Sequence, residues 1–153
     1  MISEGAPFAG DDPHDLQRFV QAQRRCYQQA LREIREGHKQ SHWMWFVFPQ
    51  LHGLGFSATA KRFAIQSVAE ARAYMDHPVL GPRLLECFEA ALASGQSARE
   101  IFGYPDDMKL QSCATLFAAV APDREVFQRL LTDKFACQRD QRTLELLGVD
   151  VAE

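Results

Sequence analysis

The chain has 153 residues, of which 46% are hydrophobic and 24% charged, with a formal net charge of −3 at pH 7. That length suits one domain with a real core, and the composition is that of an ordinary soluble protein. The acidic balance lacks the basic footprint of a nucleic-acid binder, and no apolar run approaches the roughly 20 residues that span a bilayer. Neither nucleic acid nor a membrane is therefore expected as a partner. Residues 1–10 lack the basic and apolar regions of a secretion signal, so a cytoplasmic location is expected. Cys26, Cys87, Cys113 and Cys137 are widely spaced with no CxxC pair. Buried free thiols in a reducing compartment are expected, rather than a structural zinc site.

Residues 1–11 carry no periodicity and read as a loose tail. Asp12-Pro13 is a helix-start signal, with Asp as cap and Pro at the first helical position. Leu16, Phe19, Val20, Gln23, Tyr27, Ala30, Leu31 and Ile34 then recur at three- and four-residue steps. They predict one face of a long amphipathic helix, and the pattern allows a break near Gln23. Gly37 stops it.

The densest apolar run follows, from His42 to Gln50, with both tryptophans and two of the eleven phenylalanines. Rings of this size each remove about 150–250 Å² from water, so the run is expected to form the centre of the core. Ser41 is a candidate cap for a short helix here. Trp43, Trp45 and Val47 alternate as in a strand, but Met44, Phe46 and Phe48 are apolar too, so periodicity does not arbitrate. No second convincing strand exists to pair with it. A short helix or an irregular core segment, ended by Pro49, is the favoured reading.

Ser57 opens a helix to about Gln66, with Ala60, Phe63 and Ala64 inward. Ser67-Val68-Ala69-Glu70 matches a capping box and predicts a helix to Met75. His77-Pro78 marks a break. Leu80, Leu84, Phe88, Ala91 and Leu92 define a helix ending at Gly95. Ser97-Ala98-Arg99-Glu100 is a second capping box, opening a single turn closed by Gly103. The next helix starts at Tyr104-Pro105-Asp106, with Leu110, Cys113, Ala114, Phe117 and Val120 inward. Asp123 caps a helix burying Val126, Phe127, Leu130 and Leu131. After a connection at 136–139, Asp140 caps a last helix through Leu147. The expected fold is an all-α, irregular single-domain bundle of about eight mostly short helices around a Trp/Phe-rich core. It covers residues 12–148, with 149–153 frayed.

Polar groups bracket the aromatic run. Lys39, His42, Gln50 and His52 place an ammonium, imidazoles and an amide beside tryptophan faces, a set suited to an anion or a flat ring. His42 is also a candidate proton carrier. Asp106, Lys109, Ser112 and Thr115 form a polar row at three-residue spacing, with Asp106 and Lys109 near the apolar face and Thr115 nearly opposite. Arg83 stands near a helix start, where free amides could help it clamp an anion. His38 and His42 are four apart, but Gly37 precedes them and no third ligand has a recognised spacing, so no metal is expected. No P-loop, GxGxxG, GxSxG or HExxH is present, and no cofactor is implied. The apolar neighbours of Cys113 make it an inert thiol rather than a nucleophile.

The string Gly37-x-Lys39-x-Ser41-His42-Trp43-Met44-Trp45-Phe46-x-Phe48-Pro49-Gln50-x-x-Gly53-Leu54-Gly55-x-Ser57 resembles the bacterial family called domain of unknown function 1810. The likeness continues through Glu70-Ala71, Tyr74, His77-Pro78, Leu80-Gly81, Arg83-Leu84, Ile101-Phe102-Gly103, Asp106, Lys109-Leu110, Thr115-Leu116-Phe117 and Asp140. It covers roughly residues 13–148. The resemblance implies a mainly α-helical domain and no established activity. The label calpastatin, carried by some members, does not transfer, since calpastatin repeats are disordered and this chain reads as globular. Ala136, after Phe135, stands where the resemblance leads one to expect glycine.

The functional expectation is a site for a small anionic or nucleotide-like ligand between the aromatic run and the helix near Asp106. Lys39, Trp43, Trp45, Gln50, Arg83, Lys109 and Ser112 are its binding candidates. His42 and Asp106 are its catalytic candidates for hydrolase or glycosidase-type chemistry. The alternative is a protein-interaction module using an aromatic groove. The sequence leaves oligomeric state open.

Overall fold

The structure, a computed structural model, describes residues 12–148. The tail expected at 1–11 and the frayed end at 149–153 lie outside the described residues. Among the described residues nine helices follow one another: α1 (Gln17–Glu36), α2 (Met44–Val47), α3 (Ala58–Arg62), α4 (Val68–Asp76), α5 (Leu80–Ala93), α6 (Ala98–Phe102), α7 (Asp106–Val120), α8 (Glu125–Phe135) and α9 (Gln141–Leu147). Among the described residues the only β-type pairing is one parallel bridge between Leu51 and Ile65. The fold is the expected irregular all-α bundle. Helix α7 packs against α4, α6, α8 and α9, while α5 joins α1, α4 and α8.

Helix α1 starts later than its sequence signal. The Asp12 carboxylate does cap, accepting from the amides of Leu16 (2.8 Å) and Gln17 (3.0 Å), but Pro13 lies in the preceding turn. The helix runs unbroken through Gln23, whose side chain is buried and bonded rather than disruptive. Its C-terminus is Gly37 at φ +79°, and a Cβ there would overlap the Gln96 side-chain oxygen at 1.7 Å. The left-handed backbone favours glycine, and any Cβ would in addition displace the Gln96 side chain.

Several terminal signals resolve differently from the sequence reading. Ser41 does not cap α2; its hydroxyl donates to Glu33. Helix α3 ends at Arg62; the buried Phe63 is its C-cap, and the buried Ala64 leads into Ile65, which bridges to Leu51. The α4 capping box is half made. Ser67 accepts from the Glu70 amide, but the Glu70 carboxylate turns to the Gln66 amide and to Arg18. The α6 box is complete. Asp123 does not cap α8, where Arg124 occupies the cap position without a side-chain bond. Asp140 caps α9 as expected, accepting from the Thr143 amide at 2.9 Å.

The core is a chain of rings in contact. Phe102, Trp43, Phe48, Phe88, Phe127, Phe117, Tyr74, Phe19, Phe63 and Phe46 follow one another with centroids between 4.7 and 6.2 Å apart. Edge-to-face and tilted geometries dominate, as aromatic quadrupoles favour. Three of these rings, Trp43, Phe46 and Phe48, belong to the 43–48 segment, and Phe102 touches both Trp43 and Phe48, which puts that segment at the centre of the packing. Trp45 is the ring of that segment with no aromatic partner among the described residues. It is half-buried.

Candidate functional site

Between α2 and the start of α7 lies a cavity of about 320 Å³. Lys39 and His42 line it from the loop after α1, and Met44, Trp45 and Phe46 from α2. Thr59 on α3 and Asp106 and Lys109 on α7 complete the wall. Its volume is within the range of small-ligand sites, at the lower end. A larger groove of about 500 Å³ runs between α5 and α8, but its charged lining, such as Glu89 paired with Arg129, is solvent-exposed surface. The smaller cavity is the one with withdrawn charges.

The loop carrying Lys39 and His42 is fixed by a buried carboxylate. Glu33, 4% exposed, accepts from the amides of Gln40 (2.9 Å) and Ser41 (3.1 Å), the Ser41 hydroxyl (2.7 Å) and the Trp43 indole N–H (2.9 Å). The Gln29 amide adds a fifth bond at 3.1 Å. Burial alone would raise the Glu33 carboxyl. The donors from Gln40, Ser41 and Trp43 more than reverse that and hold it down at about 2. The Lys39 amide then donates to the Ile101 carbonyl at 2.7 Å, tying the loop to α6.

This places Lys39 Nζ 2.8 Å from Asp106 Oδ2, with the lysine side chain only 8% exposed. Lys109 Nζ meets the other oxygen of Asp106 at 3.0 Å, one turn along α7. Each ammonium also faces a tryptophan. Lys39 lies 5.1 Å from the Trp43 centroid and Lys109 5.0 Å from that of Trp45. These are cation–π distances. Burial of Asp106 would raise its carboxyl, but the hydrogen bonds from Lys39 and Lys109 prevail and hold it below the ordinary range. Gly55 packs close to the outer atoms of the Trp45 ring. A Cβ there would sit 2.6 Å from Trp45 Cη2 and from Ala60 Cβ, so only glycine allows the loop to come this near.

Of the sequence-predicted residues, Lys39, His42, Trp45, Asp106 and Lys109 come together on one wall. Four candidates do not join them. Trp43 is 1% exposed and bonded to Glu33, so its ring supports Lys39 from behind. Gln50 is 2% exposed and its Nε2 has no partner among the described residues, but it does not line the cavity. Arg83 stacks on Tyr27 at 4.7 Å and donates to Gln23 Oε1 at 3.4 Å; Gln23 in turn donates to the Phe46 carbonyl. The amides expected to help Arg83 are taken, because His77 Nδ1 accepts from Val79 and Leu80. Ser112 is buried and its hydroxyl donates to the Met108 carbonyl.

Two further expectations are corrected. Thr115 is 1% exposed, because α7 is covered on nearly every side, and its hydroxyl accepts from the Asp140 amide at 2.9 Å. Of the cysteines, Cys87 and Cys113 are buried, Cys26 is half-buried and Cys137 is exposed. Burial pushes the Cys113 thiol well up, consistent with an inert group. His38 and His42 lie beyond the end of α1 in the loop, both exposed, so they share no helix face.

Residues the sequence reading missed are Glu33, Met44, Phe46 and Thr59. Glu33 has little local signal, since apart from Gln29 one turn before it, its partners are amides and side chains seven to ten positions on.

By its described residues the molecule is an irregular all-α bundle. Residues 13–147 match the family model described as protein of unknown function, DUF1810, and the chain belongs to that family. The fold resembles the crystal structure of the conserved hypothetical protein Rv1873 from Mycobacterium tuberculosis, at 49% identity and a TM-score of 0.88, covering 91% of this chain and 100% of that one. None of the curated proteins matches. No helix among the described residues is long and apolar enough to cross a membrane.

Proposed function

We propose that the cavity between α2 and α7 binds a small anionic molecule with a flat or sugar-like body, of the size of a mononucleotide or less. The observation that carries this reading is the Lys39–Asp106–Lys109 group, two ammoniums on one carboxylate, in a cavity walled by the half-buried Trp45. The group keeps a net positive charge where water is partly excluded, which strengthens its pull on an anion. Trp45, with no aromatic partner among the described residues, offers its ring for stacking. If hydrolysis of an N-glycosidic or phosphoester bond takes place there, His42 is the better proton carrier. Asp106, held ionised by two ammoniums, is a weak base and serves to position.

Thermal shift with AMP, ADP-ribose, ribose 5-phosphate and inorganic phosphate tests this. At least one organic phosphate is expected to raise the melting temperature of the wild type and to leave Lys109→Met unmoved. Should none of them shift the wild type, the proposal fails.

The interaction-module reading draws on a separate observation. The large hydrophobics Phe56, Tyr104 and Met108 are exposed and lie within three residues of Thr59, Asp106 and Lys109 in sequence, without lining the cavity. A protein partner would account for that exposure, which a small ligand inside the cavity does not.

A further inference from the structure

The ammonium–carboxylate–ammonium order carries information about the ligand beyond its charge, and the argument rests on the ligand site proposed above. A site for a bare anion is best served by lysines alone, since a carboxylate within 3.0 Å of both ammoniums repels the ligand and neutralises half their charge. Here the carboxylate is retained and shares the cavity wall with Lys109. An ionised carboxylate has about four acceptor positions and an ammonium three donors. Lys39 and Lys109 each use one position on Asp106, so acceptor capacity remains on Asp106, whose side chain is 18% exposed, and donor capacity remains on Lys109, which is 28% exposed. The wall thus presents acceptors and cationic donors side by side. Lys39, only 8% exposed, holds the other carboxylate oxygen and has little free surface of its own.

We infer that the occupant is a phosphorylated polyol, with its sugar hydroxyls donating to Asp106 and its phosphate oxygens accepting from Lys109. Two sources share this chemistry, a free sugar phosphate and a nucleotide, and Trp45 separates them because only the nucleotide brings a base to stack.

Isothermal titration calorimetry on the whole wild-type chain makes the first comparison without any mutation. AMP is set against 2′,3′-dideoxyadenosine 5′-monophosphate, and ribose 5-phosphate against inorganic phosphate. Loss of hydroxyls that bond to a charged group is expected to weaken binding about 10- to 100-fold. Asp106→Asn, checked for an intact melting transition, is expected to reduce that discrimination to about threefold or less while inorganic phosphate binds as tightly as before or more so. These opposite movements are what a merely structural Asp106 would not produce. Equal wild-type affinity for the hydroxylated and dideoxy forms overturns the inference while leaving an anion site intact. So does an equal loss for every phosphate in Asp106→Asn. If no phosphate compound binds the wild type, the ligand site itself falls and this inference with it. Tighter AMP than ribose 5-phosphate marks a nucleotide and the reverse a sugar phosphate; both support the polyol assignment.

Discussion

Arg18 and Lys39 are both cations withdrawn from water beside a carboxylate, yet their surroundings are completed differently. The Arg18 guanidinium has all its donors placed. Nε bonds the Arg62 carbonyl, Nη1 the carbonyls of His14 and Asp15, and Nη2 the Ala64 carbonyl and Glu70 at 2.7 Å. Glu70 spends its other oxygen on the Gln66 amide. That cluster is one cation to one anion, closed, and it fastens the start of α1 to the α3–α4 segment. The Lys39–Asp106–Lys109 group is two cations to one anion, opens on a cavity, and retains unused valences. A satisfied buried pair is architecture, whereas a surplus of charge with open valences is the arrangement a ligand would complete.

The contrast can be broken most forcefully at Arg18. Arg18→Met leaves Glu70 buried without its cation and is expected to cost about 3–5 kcal/mol in urea unfolding. Acid offers the next largest effect. A carboxyl depressed in the folded state stabilises above its unfolded value and loses that contribution as pH falls toward the folded one. Glu33, held at about 2 against an ordinary 4.5, should therefore cost the protein about 3 kcal/mol between those pH values. Asp106, also lowered, acts in the same direction. Glu33→Gln should already be less stable at neutral pH and show a flatter acid profile by urea midpoint.

Lys109→Met sharpens the comparison from the other side. Its ammonium is partly exposed, and Asp106 keeps Lys39, so stability should change by no more than about 1 kcal/mol in the same urea assay. A loss as large as that of Arg18→Met would make the Lys–Asp–Lys group structural after all. The smallest effect lies outside both clusters. Ala136 ends α8 at φ +52°, in the left-handed conformation. Ala136→Gly removes the Cβ strain at some entropic cost and should stabilise by about 0.5–1 kcal/mol in thermal unfolding.

That last position shows how the sequence reading divides. Glycine was expected after Phe135, and the backbone adopts the conformation glycine favours with alanine in place. Helices with strong apolar periodicity, such as α1, α5 and α8, were legible because burial of one face is a local pattern. The site was half legible. Residue type near the aromatic run and at the start of α7 points to Lys39, His42, Trp45, Asp106 and Lys109, and the fold gathers them. A helix-start position points to Arg83 and the polar row to Ser112, yet these are absorbed by Tyr27, Gln23 and the Met108 carbonyl. Periodicity puts Thr115 on a polar side of α7, but four neighbouring helices wrap α7 and leave no such side there. Glu33 was invisible because its donors are brought in by a loop, and no spacing rule encodes that.

The unequal burial of the two tryptophans gives the chain a built-in optical reporter. Trp43 is sealed, with its indole N–H bound to a carboxylate, and Trp45 borders the cavity under an ammonium. Their emission should differ in colour and in access to a dissolved quencher such as iodide. Occupancy of the cavity is then readable from Trp45 alone, against Trp43 as an internal standard in the same molecule.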